Sequence, residues 1–192
     1  TFLDEQVGRL LDALDRLDGA GRFDGPERIR RFLETPEAKT LYEQEAKVLR
    51  QMLQSDAAIY VIDSTEQVLG KYREELTILT YCAIPVLPML NFVADPGSRE
   101  ADWREQLARV NLHAVVAFDT VVYDEIGERR LYEKLRTLLD RYDDPLRRLI
   151  EDRRRHTEWL RRAAAEYLAE LLIDTAGCVR EVPGDLDAAR LR

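Results

Sequence analysis

Leu3, Val7, Leu10, Leu14 and Leu17 recur in steps of four and three, which sets them along one face of an amphipathic helix. The segment Asp18-Gly19-Ala20-Gly21 ends that pattern. Pro26 suits the first turn of a short helix over Glu27 to Glu34. Pro36 does the same for a longer helix, for which Leu41, Val48, Met52 and Leu53 are the expected buried stripe. The first 55 residues or so are therefore predicted helical, and the Leu3–Leu17 face is expected to pack on its neighbours rather than between chains.

The texture changes at Ala57. Ala57-Ala58-Ile59-Tyr60-Val61-Ile62 is a continuous apolar run of strand length that ends at Asp63. Ser64, with Gln67 three residues on, has the form of a capping box opening a helix that runs to about Cys82. Pro85 to Val93 reads as a second strand. Ser98 to Asn111 reads as a helix with Trp103, Leu107 and Val110 inward, and His113 to Phe118 as a third strand. Strand, helix, strand, helix, strand with short links predicts parallel pairing through right-handed crossovers, an α/β arrangement. Such sheets bind ligands at the carboxyl ends of their strands, here Asp63-Ser64, Asn91 to Asp95, and Asp119-Thr120. Asp63 suits either such a site or the cap of the helix that follows.

From about Glu128 the period is helical again, through Leu131, Leu135, Leu138 and Leu139. After Pro145 it continues through Leu149, Ile150, Trp159, Leu160, Tyr167, Leu168, Leu171 and Leu172. Gly177 is the expected stop, with Pro183 to Arg192 as a frayed tail. The last helix is too long to cover a small sheet and is expected to form a separate arm. The expected divisions are thus a helical segment over 1–55, an α/β part over 56–126 and a helical domain over 127–192.

Composition narrows the class. The 192 residues carry 37 acidic against 29 basic side chains, a net charge of −8, with 45 % hydrophobic and 34 % charged residues. That is material for one domain with an appendage, and it excludes fibrous, disordered and membrane-spanning readings. Two cysteines, Cys82 and Cys178, make neither a disulfide framework nor a zinc site, and a reducing cytoplasm is the expected compartment. His113 and His156 lack a second ligand at metal spacing, and Tyr60 and Trp103 read as core. The acidic balance argues against whole-surface nucleic-acid binding. It averages over one basic stretch, however: Arg147, Arg154 and Arg161 recur every seven residues, with Arg148, Arg153, Arg155 and Arg162 beside them and Leu149, Ile150, Trp159 and Leu160 opposite. Such a stripe suits an anionic membrane surface, RNA or an acidic partner, or it pairs with acidic helices or faces water.

Ser55 to Asp63, a helix, then Pro85-Val-Leu-Pro-Met-Leu-Asn-Phe-Val93 resembles the rear half of bacterial GTPases of the Era and TrmE type. With Ser98-Arg-Glu-Ala-Asp-Trp-Arg-Glu105, the Leu112-His-Ala-Val-Val116 strand and the Arg129-Arg-Leu-Tyr-Glu-Lys-Leu135 helix, the chain is similar to a bacterial group that joins an Era-like GTPase domain to a C-terminal helical domain of unknown function. The resemblance extends over nearly the whole chain. It implies a partial three-layer parallel sheet of P-loop GTPase type, with an N-terminal helical insertion and a C-terminal helical extension. It also implies that the chain, which opens on Thr1 without a methionine, begins just past the second switch. No Gly-x-x-x-x-Gly-Lys-[Ser/Thr] loop and no Asp-x-x-Gly switch occurs. Phosphate, Mg2+ and hydrolysis would then lie upstream, and these residues would supply no catalytic group and no metal ligand.

What the resemblance leaves here is the base end of a GTP pocket. Asn91 matches the asparagine of the guanine-reading Asn-Lys-x-Asp motif, Phe92 stands at its lysine and Ala94 at its aspartate, with Asp95 one residue late. Asn91, Phe92 and Asp95 are the candidate nucleotide-binding residues, and Phe118-Asp119-Thr120 replaces the later Ser-Ala-Lys-type loop. Arg147, Arg154 and Arg161 are the candidate anionic-partner surface. Two readings follow: the C-terminal portion of a GTP-binding switch with a helical effector arm, or a non-hydrolysing α/β scaffold whose arms bind a protein or the inner-membrane surface.

Overall fold

The computed structural model describes residues 6–18, 21–119 and 125–178. Leu3, Thr120 and the Pro183–Arg192 tail lie outside the described residues. Helix α1 spans Val7–Leu17, and its stripe buries Val7, Leu10 and Leu14, as the four-and-three spacing requires. Helix α2 spans Gly25–Glu34: Pro26 sits in its first turn, and the Asp24 carboxylate accepts the Glu27 amide at 2.9 Å, which satisfies one of the orphan donors of a helix start. The helix expected after Pro36 is instead a single 3-10 turn, Glu37–Lys39, followed by α3 at Glu43–Leu53. The break carries Leu41 onto the surface, so the buried stripe is Ala46, Leu49 and Met52 with the carboxylate-bearing Glu45, not the one beginning at Leu41.

Strand β1 spans Ala58–Asp63, helix α4 Gly70–Tyr81, β2 Val86–Asn91, α5 Glu100–Arg109 and β3 Val116–Ala117. The three strands are parallel in the order β1-β2-β3, with Ala58 opposite Val86, Asp63 opposite Asn91 and Met89 opposite Val116. The molecule is therefore mixed α/β with a small parallel sheet. All six residues of β2 are buried, as befits a central strand. β1 pairs only with β2 among the described residues, and its Ile59 and Val61 remain 45 % and 56 % exposed. The third strand is shorter than His113–Phe118, because only Val116 and Ala117 reach ladder register with β2. Helix α4 starts at Gly70 after Leu69, with no side-chain cap, so the expected Ser64–Gln67 capping box does not form. Ser64 is spent elsewhere, as described below.

Two cores result. Leu10, Leu14, Ile29, Phe32, Leu49 and Ile78 join α1, α2, α3 and α4 into one apolar cluster that reaches Val86 of β2. Ile62, Leu76, Leu90, Trp103 and Leu107 form the other, beneath the sheet's carboxyl end. Burying each such side chain contributes about 1.5–3 kcal/mol. Gly25 marks where α2 crosses α4: a Cβ there would stand 2.5 Å from the Tyr81 carbonyl oxygen. The ends of α4 and α5 share one device. Ala83 and Asn111, each one residue past the C-cap, take left-handed φ values of 52° and 61°, the turn that stops a helix.

Helix α6 spans Glu125–Leu138, and after a 3-10 turn α7 runs 35 residues from Asp143 to Gly177. Pro145 sits in the first turn of α7, and Gly177 is its last residue, as its spacing predicts. The chain divides into two compact units, one through Arg147 and one from Arg148 onward. The first thus holds the N-terminal helices together with the α/β part. In the second, Trp159, Leu160, Tyr167, Leu168, Leu171, Leu172 and Ile173 are exposed. Among the described residues no helix is long and apolar enough to cross a membrane.

Candidate functional site

The carboxyl ends of β1 and β2 are tied to each other and to the start of α5. The Ser64 amide donates to the Asn91 carbonyl at 3.1 Å, the Arg99 amide donates to the Ser64 carbonyl at 2.7 Å, and the hydroxyls of Ser64 and Ser98 lie 3.0 Å apart. Ser64 is fully buried, so these bonds satisfy a polar group that water cannot reach. The Asp63 carboxylate accepts both the amide and the hydroxyl of Thr65, at 2.9 and 2.6 Å. It therefore forms an Asx turn rather than the helix cap that its position also allowed.

Asn91 ends β2 and is buried. Its Oδ1 accepts the Phe92 amide at 2.9 Å. Phe92 itself has φ 57°, a left-handed conformation that costs a non-glycine residue about 1–2 kcal/mol and is held by its surroundings. The Phe92 carbonyl accepts the Asp95 amide at 3.1 Å, and the Asp95 carbonyl accepts the Ser98 amide at 2.9 Å. The Asp95 carboxylate accepts the Gly97 amide at 2.7 Å. Asn91, Phe92 and Asp95 thus come together in one short, internally bonded loop at the sheet's carboxyl edge, with Asn91 inside it and Asp95 exposed. Asp119, two residues past the end of β3, is also buried. The Ser64–Ser98 pair had no signature in the sequence, since its members are 34 residues apart and each looks like an ordinary turn serine.

Along β1 a groove of about 550 Å³ is lined by every residue of the strand from Ala58 to Asp63, with Met52, Glu66, Lys71, Tyr72, Glu75 and Trp103 among its walls and no residue of the Asn91 loop. The Tyr60 hydroxyl donates to Glu75 at 2.6 Å, the Trp103 indole donates to the Glu66 carbonyl at 3.1 Å, and the Tyr72 ring meets Trp103 edge-on at 5.0 Å. Trp103 is core, as its sequence position suggested, whereas Tyr60 is half-buried with its hydroxyl on Glu75. Among the described residues no group of three or more His, Cys, Asp or Glu gathers in a way that would hold a metal ion. The Cys82 thiol is buried, which pushes its pKa up to about 11 and leaves it unreactive, while Cys178 is exposed.

The arginine stripe of α7 is engaged with acidic neighbours on its own helix. Arg147 bonds Asp144, and Arg154 bonds both Glu151 and Glu158 at 2.9 Å. Arg161 also has a polar or electrostatic contact. The Glu151 carboxyl is held down to about 2, chiefly by the hydrogen bond from Arg154, with Arg155 adding to it. Trp159 stacks on His156 at 5.9 Å and so lies apart from Leu160 around the helix.

Residues 104–191 match the family described as Domain of unknown function (DUF3482). No curated protein and no solved structure matches the chain. The family match begins inside α5 and takes in β3, α6 and α7, so it covers the C-terminal part of the chain and leaves β1, β2 and the Asn91 loop outside it.

Proposed function

We propose that this chain is the base-side portion of a bacterial GTP-binding switch of the Era and TrmE type, with α6 and α7 as its helical effector extension. The observation that carries the reading is the place of Asn91: it ends the central strand of a parallel sheet, and its side chain holds the first amide of the loop that follows. Carboxyl ends of parallel strands are where α/β sheets bind ligands, and an asparagine there fixes both the loop and one edge of a bound base. The open β1 edge supports the same reading. An apolar strand whose Ile59 and Val61 face water beside a groove is suited to covering by further chain, such as a phosphate-binding half.

The loop fits a purine base better than it fits guanine in particular. Phe92, half-buried beside Asn91, can lie against a base face. The carboxylate that would accept two guanine N–H groups is missing at Ala94, and that of Asp95 already accepts the Gly97 amide. GTP and Mg2+ belong to this reading through the full-length protein, where the phosphate and metal contacts would come from residues beyond these. The lack of a carboxylate at Ala94 favours a second reading, in which the α/β part is a non-hydrolysing scaffold and the helices bind the partner.

Calorimetric titration of the full-length protein with GTP, ATP and XTP separates the two. The switch reading predicts binding of at least GTP, weakened about fivefold or more by Asn91→Ala through loss of a hydrogen bond worth about 1 kcal/mol. Binding that is indifferent to Asn91→Ala moves the pocket elsewhere, and no binding of any nucleotide leaves the scaffold.

A further inference from the structure

A groove of about 360 Å³ is bounded by α5, β3 and α6. One wall is apolar and belongs to β3 and the residue before it: Val116 is buried, and Val115 and Ala117 are half-buried. The other walls carry Arg104 from α5 and Arg130, Lys134 and Thr137 from α6, all exposed, with Glu133 beside them. A concave site of this volume, apolar on one side and set with a few convergent polar groups on the other, has the make-up of a small-ligand pocket.

The pairing of its cations indicates which ligand. Helical cations elsewhere in the chain commonly have an acid one turn away: Arg31 pairs with Glu27, Lys47 with Glu43, Arg104 with Glu100 and Arg109 with Glu105. Arg130 and Lys134 depart from that pattern. The helix neighbours of Lys134 at three and four residues are Arg130, Leu131, Thr137 and Leu138, none of them acidic. Those of Arg130 are Ile126, Gly127, Glu133 and Lys134, and the Glu133 carboxylate is taken by Arg129 at 2.7 Å. Among the described residues neither Arg130 nor Lys134 forms an ion pair or a hydrogen bond through its side chain. Two like charges four residues apart on a helix repel, so this pair destabilises α6 unless an anion meets both. The Thr137 hydroxyl already donates to the Lys134 carbonyl at 2.7 Å, which leaves the two cations as the groove's available donors on α6.

We propose that this groove binds a phosphate monoester. At neutral pH the ester is close to a dianion and so matches the two charges that Arg130 and Lys134 leave uncompensated. The guanidinium and the ammonium donate to its oxygens in charge-assisted hydrogen bonds, and its organic body lies along Val115 and Ala117. Arg104 closes the opposite wall, with part of its charge already met by Glu100 at 2.7 Å. A single carboxylate or a sulfate ester brings one charge and leaves a cation unmatched. The same contacts serve a soluble ester and a phosphorylated lipid headgroup. The site is independent of the nucleotide reading, because it uses none of the residues at the ends of β1 and β2.

Nuclear magnetic resonance titration of the protein with phenyl phosphate tests the site. Saturable shifts are expected at the amides of residues 115–117 and 130–137. Arg130→Gln with Lys134→Gln should weaken binding about tenfold or more, the usual loss when a hydrogen bond to a charged group is removed. Phenyl sulfate, the same body with one charge, should bind more weakly than phenyl phosphate. Without ligand the double variant should keep its far-UV circular dichroism and melt at a higher temperature, because the repulsion within α6 is gone. Vesicles of phosphatidylcholine with and without phosphatidic acid separate the sources. Binding that requires phosphatidic acid and is lost in the double variant assigns the groove to a lipid headgroup, and phenyl phosphate binding without vesicle binding assigns it to a soluble ester. Phenyl sulfate binding as tightly as phenyl phosphate, shifts that survive the double variant, a double variant that melts lower, or no binding in either arm would each overturn the proposal.

Discussion

Helices α1 and distal α7 carry the same sequence signature and meet opposite fates. Both repeat leucines at helical spacing, yet Leu10 and Leu14 of α1 are fully buried whereas Leu168 and Leu171 of α7 are 61 % exposed. In α1 the stripe is met by α2 and α4, and the ion pairs of Arg28 with Asp15 and Asp18 tie the first two helices together at their ends. Asp18 also accepts the Arg22 and Phe23 amides, and these backbone hydrogen bonds, Phe23's above all, hold its carboxyl below the usual range. In distal α7 Leu168 and Leu171 stay exposed, and the pairs of Arg154 and Arg155 with Glu151 and Glu158 lie along one helix. Period establishes that a helix has an apolar face. What covers that face depends on chain far away in sequence or on another molecule.

The contrast can be broken or sharpened by substitution. The largest effect is expected at Leu10→Ala, which empties a fully buried site and should lower unfolding free energy by about 2–5 kcal/mol in urea titration. Leu171→Ala, chemically the same change, should stay within about 0.5 kcal/mol in dilute protein. Equal losses at the two sites would show that distal α7 is covered within the chain. Next in size is Gly25→Ala, whose Cβ would press on the Tyr81 carbonyl oxygen and should cost about 1–3 kcal/mol by the same titration. A smaller change of opposite sign is expected for Ala83→Gly. This exposed residue already has φ 52°, so removing its Cβ should raise stability by up to about 1 kcal/mol.

The smallest effect is a pH dependence confined to α7. The Glu151 carboxyl lies at about 2 in the folded helix against an ordinary 4.5, so its pairing with Arg154 stabilises the helix above pH 4.5. That contribution should fade as the pH drops from 4.5 through 2. Helix content followed by far-UV circular dichroism should fall over that interval, and Glu151→Gln should flatten this part of the curve.

How much of this was readable from residues alone follows the same division. The α1 and α2 helices, the parallel β1-α4-β2-α5 order, the Trp103 core position and the Pro145 and Gly177 limits of α7 all rest on local period and punctuation. Those signals survive folding because neighbouring residues enforce them. Leu41 was misplaced because a 3-10 turn broke the period between Pro36 and Glu43, a break that no glycine or second proline announces. The Ser64 capping box was misread because the serine hydroxyl had a better partner 34 residues on, in Ser98. At the candidate site the positions of Asn91, Phe92 and Asp95 followed from the strand end, and all three do meet in one loop. Their engagement did not follow: the left-handed backbone of Phe92 and the capture of the Asp95 carboxylate by Gly97 are products of loop closure, which no residue pattern here encodes.

We propose that the carboxyl ends of β1 and β2 form the base side of a nucleotide pocket. Amide hydrogen exchange of the full-length protein, measured with and without saturating GTP, addresses it most directly. Slower exchange is expected on GTP addition for the amides of Phe92, Asp95, Gly97 and Ser98, with α1 unchanged. Protection that appears only in the helices, or exchange at the Asn91 loop that GTP leaves untouched, would contradict it.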